Sequence, residues 1–157
     1  MKMNFHSTVL FVKNIEESCR FYTDVLGQEI EYDFGGNIIL KCGLTLWQIQ
    51  EEHVINRTLI DKKQYDKYPM ELCFETEKFE NAVMNIKEAK AKLMHDVKEE
   101  NWGQLTIRFY DPDNNLIEVG ESLKTFITRL LSNMSIGEVS KKSGVKVEDI
   151  HKIISEG

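Results

Sequence analysis

The sequence predicts an α+β fold made of two βαβββ modules followed by a helical appendage. Three observations predict it: an order of extended segment, helix and three extended segments that occurs twice, turn-forming residues at the junctions, and a C-terminal stretch with a purely helical pattern. In the first module, Phe5 to Val12 is apolar and β-branched enough for a strand. Asn14 then supplies a cap oxygen three residues before Glu17, which starts a helix. Ile15, Cys19, Tyr22 and Leu26 recur at helical spacing, and Gly27 sits where a helix is expected to have ended. Extended segments follow at about Glu29 to Asp33, Ile38 to Lys41 and Leu44 to Gln50, separated by Phe34-Gly35-Gly36-Asn37 and by Cys42-Gly43.

A polar connection from Glu51 to Lys67 leads into the second module. It opens with a strand from Met70 to Glu75 and a helix from Phe79 to about Lys90, whose buried stripe is Phe79, Ala82, Val83 and Ile86. Segments near Leu93 to Lys98, Leu105 to Tyr110 and Leu116 to Glu121 complete it, the last two joined by the turn Asp111-Pro112-Asp113-Asn114-Asn115. The modules span about 4–50 and 69–121 of one domain, 1–121. Aligning the helix starts places Ser7 opposite Glu71, and aligning the last strands places Gln48 opposite Glu118.

The tail, 122–157, reads as three helices. Leu123, Phe126, Ile127, Leu130 and Leu131 form a stripe after the cap Ser122, and Ser135 with Glu138 forms a capping box before a helix ending near Gly144. A last helix carries Ile150, Ile153 and Ile154. Ser135 to Ile154 has the rhythm of a helix-turn-helix, but a duplex-reading helix needs net positive charge. Here Lys141, Lys142, Lys146 and Lys152 are balanced by Glu138, Glu148, Asp149 and Glu156, so a helical clip that packs on the domain or on a second subunit is expected.

The 157 residues suffice for one domain with a good core plus this appendage. The formal charge of −6 argues against general affinity for nucleic acid or anionic membrane and favours small-molecule partners. No stretch approaches the roughly 20 apolar residues of a membrane span, and the N-terminal segment lacks the apolar core of a secretion signal, so a cytoplasmic chain is expected. Cys19, Cys42 and Cys73 show no C-x-x-C spacing and are expected to be reduced and structural. The absence of G-x-S-x-G, P-loop and G-x-G-x-x-G strings leaves serine hydrolysis and nucleotide use without motif support, so no nucleotide or organic cofactor is expected. Exposed strand edges and the tail favour a homodimer.

Two segments carry a family resemblance. Val12 to Gly27, containing Phe21-Tyr22-Thr23-Asp24-Val25-Leu26-Gly27, resembles the helix signature of the glyoxalase, bleomycin-resistance and extradiol dioxygenase group, the vicinal oxygen chelate (VOC) superfamily. Tyr110 to Glu118 is similar to its closing D-P-D-G-N-x-x-E signature, with Asn114 in place of the Gly. The resemblance implies a curved, cup-like mixed sheet with helices outside and a ligand, often with a divalent metal, inside the cup. In metal-using members the first and last strand of each half presents one ligand, which here matches Ser7, Gln48, Glu71 and Glu118. Alternation agrees on parity, pairing Gln48 with Leu46 and Glu118 with Leu116.

Ser7 stands where such members usually have His, while His6 lies next to it. With His6 turned inward, metal ligands His6, Gln48, Glu71 and Glu118 would resemble a glyoxalase-type isomerase, with Glu71 and Glu118 as the catalytic carboxylates. Without it, two carboxylates and an amide still suit Mg, Mn, Ni or Zn with added waters. With no metal, Glu71 and Glu118 would recognise a basic ligand, as in members that sequester antibiotics. The resemblance thus implies a divalent-metal-dependent lyase or isomerase of unknown substrate, or alternatively a metal-free binding or resistance protein that sequesters an aromatic or cationic small molecule. Extradiol cleavage would need two histidines, and only His6 is near a ligand position.

Ser7, Phe11, Trp102 and Arg108 are the candidate substrate-binding residues. Phe11 falls where bacterial glyoxalases that the chain resembles place an Arg, so glutathione is not the expected ligand. Trp102 is either a stacking surface or core, and Trp47 is expected to face the helix layer. Arg108 either meets an anionic ligand or pairs with an acid such as Asp111 or Glu99. His53, His95 and His151 lack metal-like spacing and are read as incidental.

Overall fold

The computed structural model describes residues 6–51 and 71–155. Phe5, Met70, Glu156 and most of the polar connection with His53 lie outside the described residues. The first module runs β1 (Thr8–Phe11), α1 (Ile15–Arg20), β2 (Ile30–Asp33), β3 (Asn37–Leu40) and β4 (Leu44–Trp47). The second runs β5 (Glu71–Thr76), α2 (Phe79–Glu88), β6 (Lys92–Glu99), β7 (Leu105–Tyr110) and β8 (Leu116–Glu121). Helices α3 (Leu123–Leu131), α4 (Ile136–Ser143) and α5 (Val147–Ser155) follow. The fold is α+β, as the sequence predicts.

Each module forms a four-stranded mixed sheet of the same topology, ordered β1-β4-β3-β2 and β5-β8-β7-β6. The first strand pairs parallel with the last, β1 with β4 and β5 with β8, and the remaining pairs are antiparallel. A parallel pair needs a long crossover, which the helix supplies, while short turns serve the antiparallel neighbours. The chain divides into two compact units: the first module with the turn Asp111–Asn115, and the second module with the C-terminal helices.

In the first unit, Asn14 caps α1 by accepting from the Glu17 N–H at 3.0 Å. Below Arg20 the helix widens over Phe21–Val25, and Gly27 ends it at φ +62°. This helix packs on β3 and β4, where Leu10, Ile38, Leu40, Leu46 and Tyr22 are buried. Alternation then leaves Ser7, Val9 and Phe11 on the other face, together with their partners Thr45 and Trp47. Gln48 shares a face with Leu46, as expected, but that face is the helix side, so the two faces of β4 are exchanged relative to the expectation. Trp47 lies against Phe11, with ring centroids 5.9 Å apart, and Gln48 turns to the helix side. The reason is the helix start: the Gln48 amide oxygen accepts from the Ile15 N–H at 2.7 Å, one of the donors that no residue within a helix can satisfy.

The turn Asp111–Asn115 binds to the same helix. Asp111 accepts from the N–H groups of Asp113 and Asn115 at 2.9 and 2.8 Å, and from the Asn115 amide at 2.8 Å. Its other oxygen also receives the buried Tyr22 hydroxyl at 3.0 Å. Asp113 accepts from the Lys13 N–H and the Ser18 hydroxyl, both at 3.1 Å. Asn114 occupies φ +64°, a conformation Asn tolerates better than other non-glycine residues, which accounts for Asn at the Gly position of the signature.

In the second unit, α2 packs on β5 and β8, and Phe79 and Ile86 are buried with Ile107, Phe109, Ile117 and Val119. The three C-terminal helices share a core of Phe126, Ile127, Leu130, Val139 and Ile150. The expected capping box is formed, with the Glu138 N–H donating to Ser135 Oγ and the Glu138 carboxylate accepting from the Ser135 N–H at 2.8 Å. Gly144 ends α4 at φ +75°. Among the described residues no helix is long and apolar enough to cross a membrane.

Burial pushes the Tyr22 hydroxyl's proton affinity up, and the neighbouring Asp111 carboxylate adds to it, so the donor keeps its proton throughout the ordinary pH range. Replacing Tyr22 by Phe is expected to cost about 1.5–3 kcal/mol, the usual worth of a hydrogen bond to a charged acceptor. The readout is the urea midpoint, and an unchanged midpoint would mean that Asp111 holds the turn without Tyr22.

Candidate functional site

The open face of the second sheet, opposite α2, carries charge where its other face carries Ile and Phe. Register explains the clustering. Cys73 on β5 is opposite Glu118 on β8, Glu118 is opposite Arg108 on β7, and Arg108 is opposite His95 on β6. One side chain from each strand thus lies in a single row, and Glu71, two residues before Cys73, shares its face.

Arg108 is the centre of the row. Its Nε donates to Glu71 at 2.8 Å, one terminal nitrogen donates to Glu100 at 2.6 Å and lies 3.2 Å from His95 Nε2, and the other donates to Glu118. The His95 Nδ1 lies 2.7 Å from the Asp96 carbonyl, so a proton on Nδ1 leaves Nε2 as the acceptor that Arg108 needs. Glu100, from the turn between β6 and β7, also accepts from the Thr106 hydroxyl at 3.0 Å and pairs with Lys98 at 3.2 Å. The guanidinium side chain is only 17% exposed, so its charge needs these partners.

Electrostatics follow from the same contacts. Burial opposes the charge on Arg108, but Glu71, Glu100 and Glu118 together raise its proton affinity, so it stays a cation. The hydrogen bond from Arg108 holds the Glu100 carboxyl down to about 2. Burial moves Glu118 the other way, raising it with help from the charges of Glu71 and Glu100 against the pull of Arg108. The Cys73 thiol is pushed up to about 11, first by burial and then by Glu118, so at neutral pH it is not a thiolate.

The candidates from the sequence fall into three places. Glu71, Glu118 and Arg108 meet in the row just described. In the first unit, His6 is exposed with Nδ1 3.1 Å from the Ser7 hydroxyl, Ser7 accepts from Thr45 at 3.2 Å, Phe11 is exposed beside Trp47, and Gln48 is committed to Ile15. Trp102 is half-exposed at the β6–β7 turn, its indole N–H donating to Gln104 at 2.9 Å. Arg108 does pair with acids, but with Glu71, Glu100 and Glu118 rather than with Asp111 or Glu99. Sequence reasoning missed Glu100, Cys73 and His95 as members. The alternation from Glu71 to Cys73 was a usable signal, whereas Glu100 and His95 depend on the β6–β7 register and its irregularities.

Among the described residues, Glu71, Cys73 and Glu118 each offer a ligand atom within 4.8 Å of the others. Both carboxylates, however, already accept from Arg108. A divalent ion there would face a guanidinium at contact distance, so the donor set as folded does not fit one.

Two measurements check this electrostatic account. Arg108→Met leaves three acids without their shared cation and is expected to cost about 1.5–3 kcal/mol at neutral pH, the usual worth of a hydrogen bond to a charged group, read as a lowered urea midpoint. Because Glu100 is held below its ordinary value of 4.5, its contribution is present above that value and is lost as pH falls toward about 2. Urea midpoints of the wild type and Glu100→Gln should therefore converge between pH 4.5 and 2. A gap that stays constant over that range would contradict the assigned role of Arg108.

A family model described as a glyoxalase-like domain matches residues 5–124. Among solved structures, a protein of unknown function from Agrobacterium tumefaciens is 32% identical, with a TM-score of 0.65 over 78% of this chain and 97% of that one. A lactoylglutathione lyase from the same organism shares the fold at 20% identity and TM-score 0.56, over 77% of this chain and 95% of its own. So does a glyoxalase/bleomycin resistance protein/dioxygenase from Alicyclobacillus acidocaldarius, at 19% identity and TM-score 0.54, over 76% and 92%. Among curated proteins no sequence matches. With the duplicated βαβββ topology and both signature segments in place, the chain belongs to the glyoxalase-like domain family of the VOC superfamily.

Proposed function

We propose that this chain is a small-molecule-binding protein that works without a resident metal, its second module using the Glu71–Arg108–Glu118 row to recognise an organic cation. The observation that carries the reading is that Arg108 donates to both Glu71 and Glu118. The family resemblance implies a divalent ion facing those two positions, and here a guanidinium fills the role of counter-charge. Three carboxylates, Glu71, Glu100 and Glu118, face two cations, Arg108 and Lys98, so the cluster keeps a surplus negative charge. That surplus favours a cationic ligand over an anionic one. Arg108 is also poorly placed to receive an anion, since four of its five N–H directions are engaged. A homodimer in the cytoplasm belongs to this reading, supported by the exposed edge strand β2 and the three free cysteines.

A second reading, a metal-dependent lyase or isomerase with Glu71 and Glu118 as catalytic carboxylates, is favoured by the convergence of Glu71, Cys73 and Glu118. It requires Arg108 to leave the row before Mg, Mn, Ni or Zn enters.

Thermal shift of the full chain separates the two. With chelator present, a panel of aromatic amines and guanidines is expected to contain a stabilising compound whose effect disappears in Glu71→Gln. Mn²⁺, Ni²⁺ and Zn²⁺ should leave the wild type unmoved yet stabilise Arg108→Ala, where the acids are released. One equivalent of metal in the purified wild type, lost in Glu71→Ala, would establish the second reading instead.

A further inference from the structure

We infer that helix α3 belongs to the framework of the Arg108 row, with Arg129 as the positioning residue that fixes the β6–β7 turn and, through Glu100, the guanidinium. The family match ends at residue 124, so Arg129 lies in the part of the chain that the glyoxalase-like domain does not cover. The inference stands whichever ligand the row takes, because it concerns how Arg108 is held.

The turn is tight. The Glu100 N–H donates to the Gln104 carbonyl at 2.8 Å, and the Gly103 N–H donates to the Glu100 carbonyl at 2.8 Å. Gly103 sits at φ +100°, a conformation open mainly to glycine, and a Cβ there would come within 2.8 Å of a Leu130 methyl and 3.1 Å of Lys142 Cε. The turn therefore lies flush on the tail.

Arg129 secures it from three sides. One terminal nitrogen donates to the Gly103 carbonyl at 2.5 Å and to Glu121 at 2.7 Å, and Nε donates to Glu121 at 2.8 Å. Glu121, the last residue of β8, accepts in turn from the Leu105 N–H at 2.9 Å, and its own carbonyl accepts from the Gln104 amide at 2.7 Å. A single guanidinium thus joins the end of β8, the start of β7 and the turn before it. Lys142 adds a contact from α4 to Glu99 at 2.6 Å. Glu100, between Glu99 and this clamped turn, is the acid that holds one arm of Arg108. The chain of contacts runs from the tail to the turn, to Glu100, to Arg108, and so to Glu71 and Glu118.

Hydrogen exchange of the Arg108 Nε–H in the ¹⁵N-labelled full chain tests this, the signal being assigned by its loss in Arg108→Lys. In Arg129→Gln the exchange is expected to accelerate by about tenfold or more while the core amides of Ile107 and Ile117 keep their wild-type rates, the mark of local rather than global opening. Equal acceleration of all three would reduce Arg129 to general stability, and no change at Arg108 would remove it from the network. Either result overturns the inference. Arg129→Lys keeps a cation against Glu121 but lacks the fork that reaches Gly103 as well, so it covers the case in which the Gln variant does not fold. Its expected exchange is intermediate and again selective for Arg108, and wild-type exchange there would also overturn the inference.

Discussion

A guanidinium on the open face of a sheet, directly across from Glu118, is the constraint on which the second module is organised. Arg108 cannot be withdrawn from water alone, and Glu71, Glu100 and Glu118 cannot be gathered without it. Such a cluster is a weak source of net stability, because the loss of hydration of each ion offsets most of its Coulomb gain. What it supplies is definition. Residues from all four strands and from one turn must be in register for the Arg108 N–H groups to find these acceptors, so a strand shifted by one residue would send its member to the face packed on α2.

The two modules share a topology but not a chemistry. On the open face of the first sheet stand Val9, Phe11 and Trp47, with Ser7 and Thr45 joined by a hydroxyl hydrogen bond. On that of the second stand Glu71, Cys73, Glu118, Arg108 and His95. Repetition at the level of strand order fixes only which residues face outward from the helix. Their identity is free, which is why fold membership leaves the ligand to be argued from the site.

The same distinction separates what the amino-acid sequence makes legible from what only the fold creates. Caps and turns are local: Asn14, Ser122, Ser135 and the Asp111 turn each satisfy donors within a few residues of themselves, and all were legible. The partners of Arg108 were not, because they depend on three registers at once. Asp111 and Glu99 were reasonable guesses by proximity along the chain. Asp111, however, is taken up by its own turn and Tyr22, and Glu99 by Lys142 and Arg129. The face assigned to Gln48 was wrong for a related reason. Counting along β4 cannot reveal that an unpaired N–H at Ile15 draws the amide of Gln48 to the helix side.

The tail shows how a motif's geometry and its use part company. A helix-turn-helix arrangement needs only a small apolar core and a left-handed residue at the bend, and Phe126, Ile127, Val139, Ile150 and Gly144 supply both. Reading a duplex needs more, namely basic side chains free to meet phosphate. Here Lys142 is turned to Glu99, Lys152 pairs with Asp149, and the first turn of α5 presents Glu148 and Asp149. The one arginine of these helices is spent on Glu121 and the Gly103 carbonyl. Arg129 and Lys142 are instead directed at the β6–β7 turn and the strand end beside it, which makes the appendage a brace for the charged row.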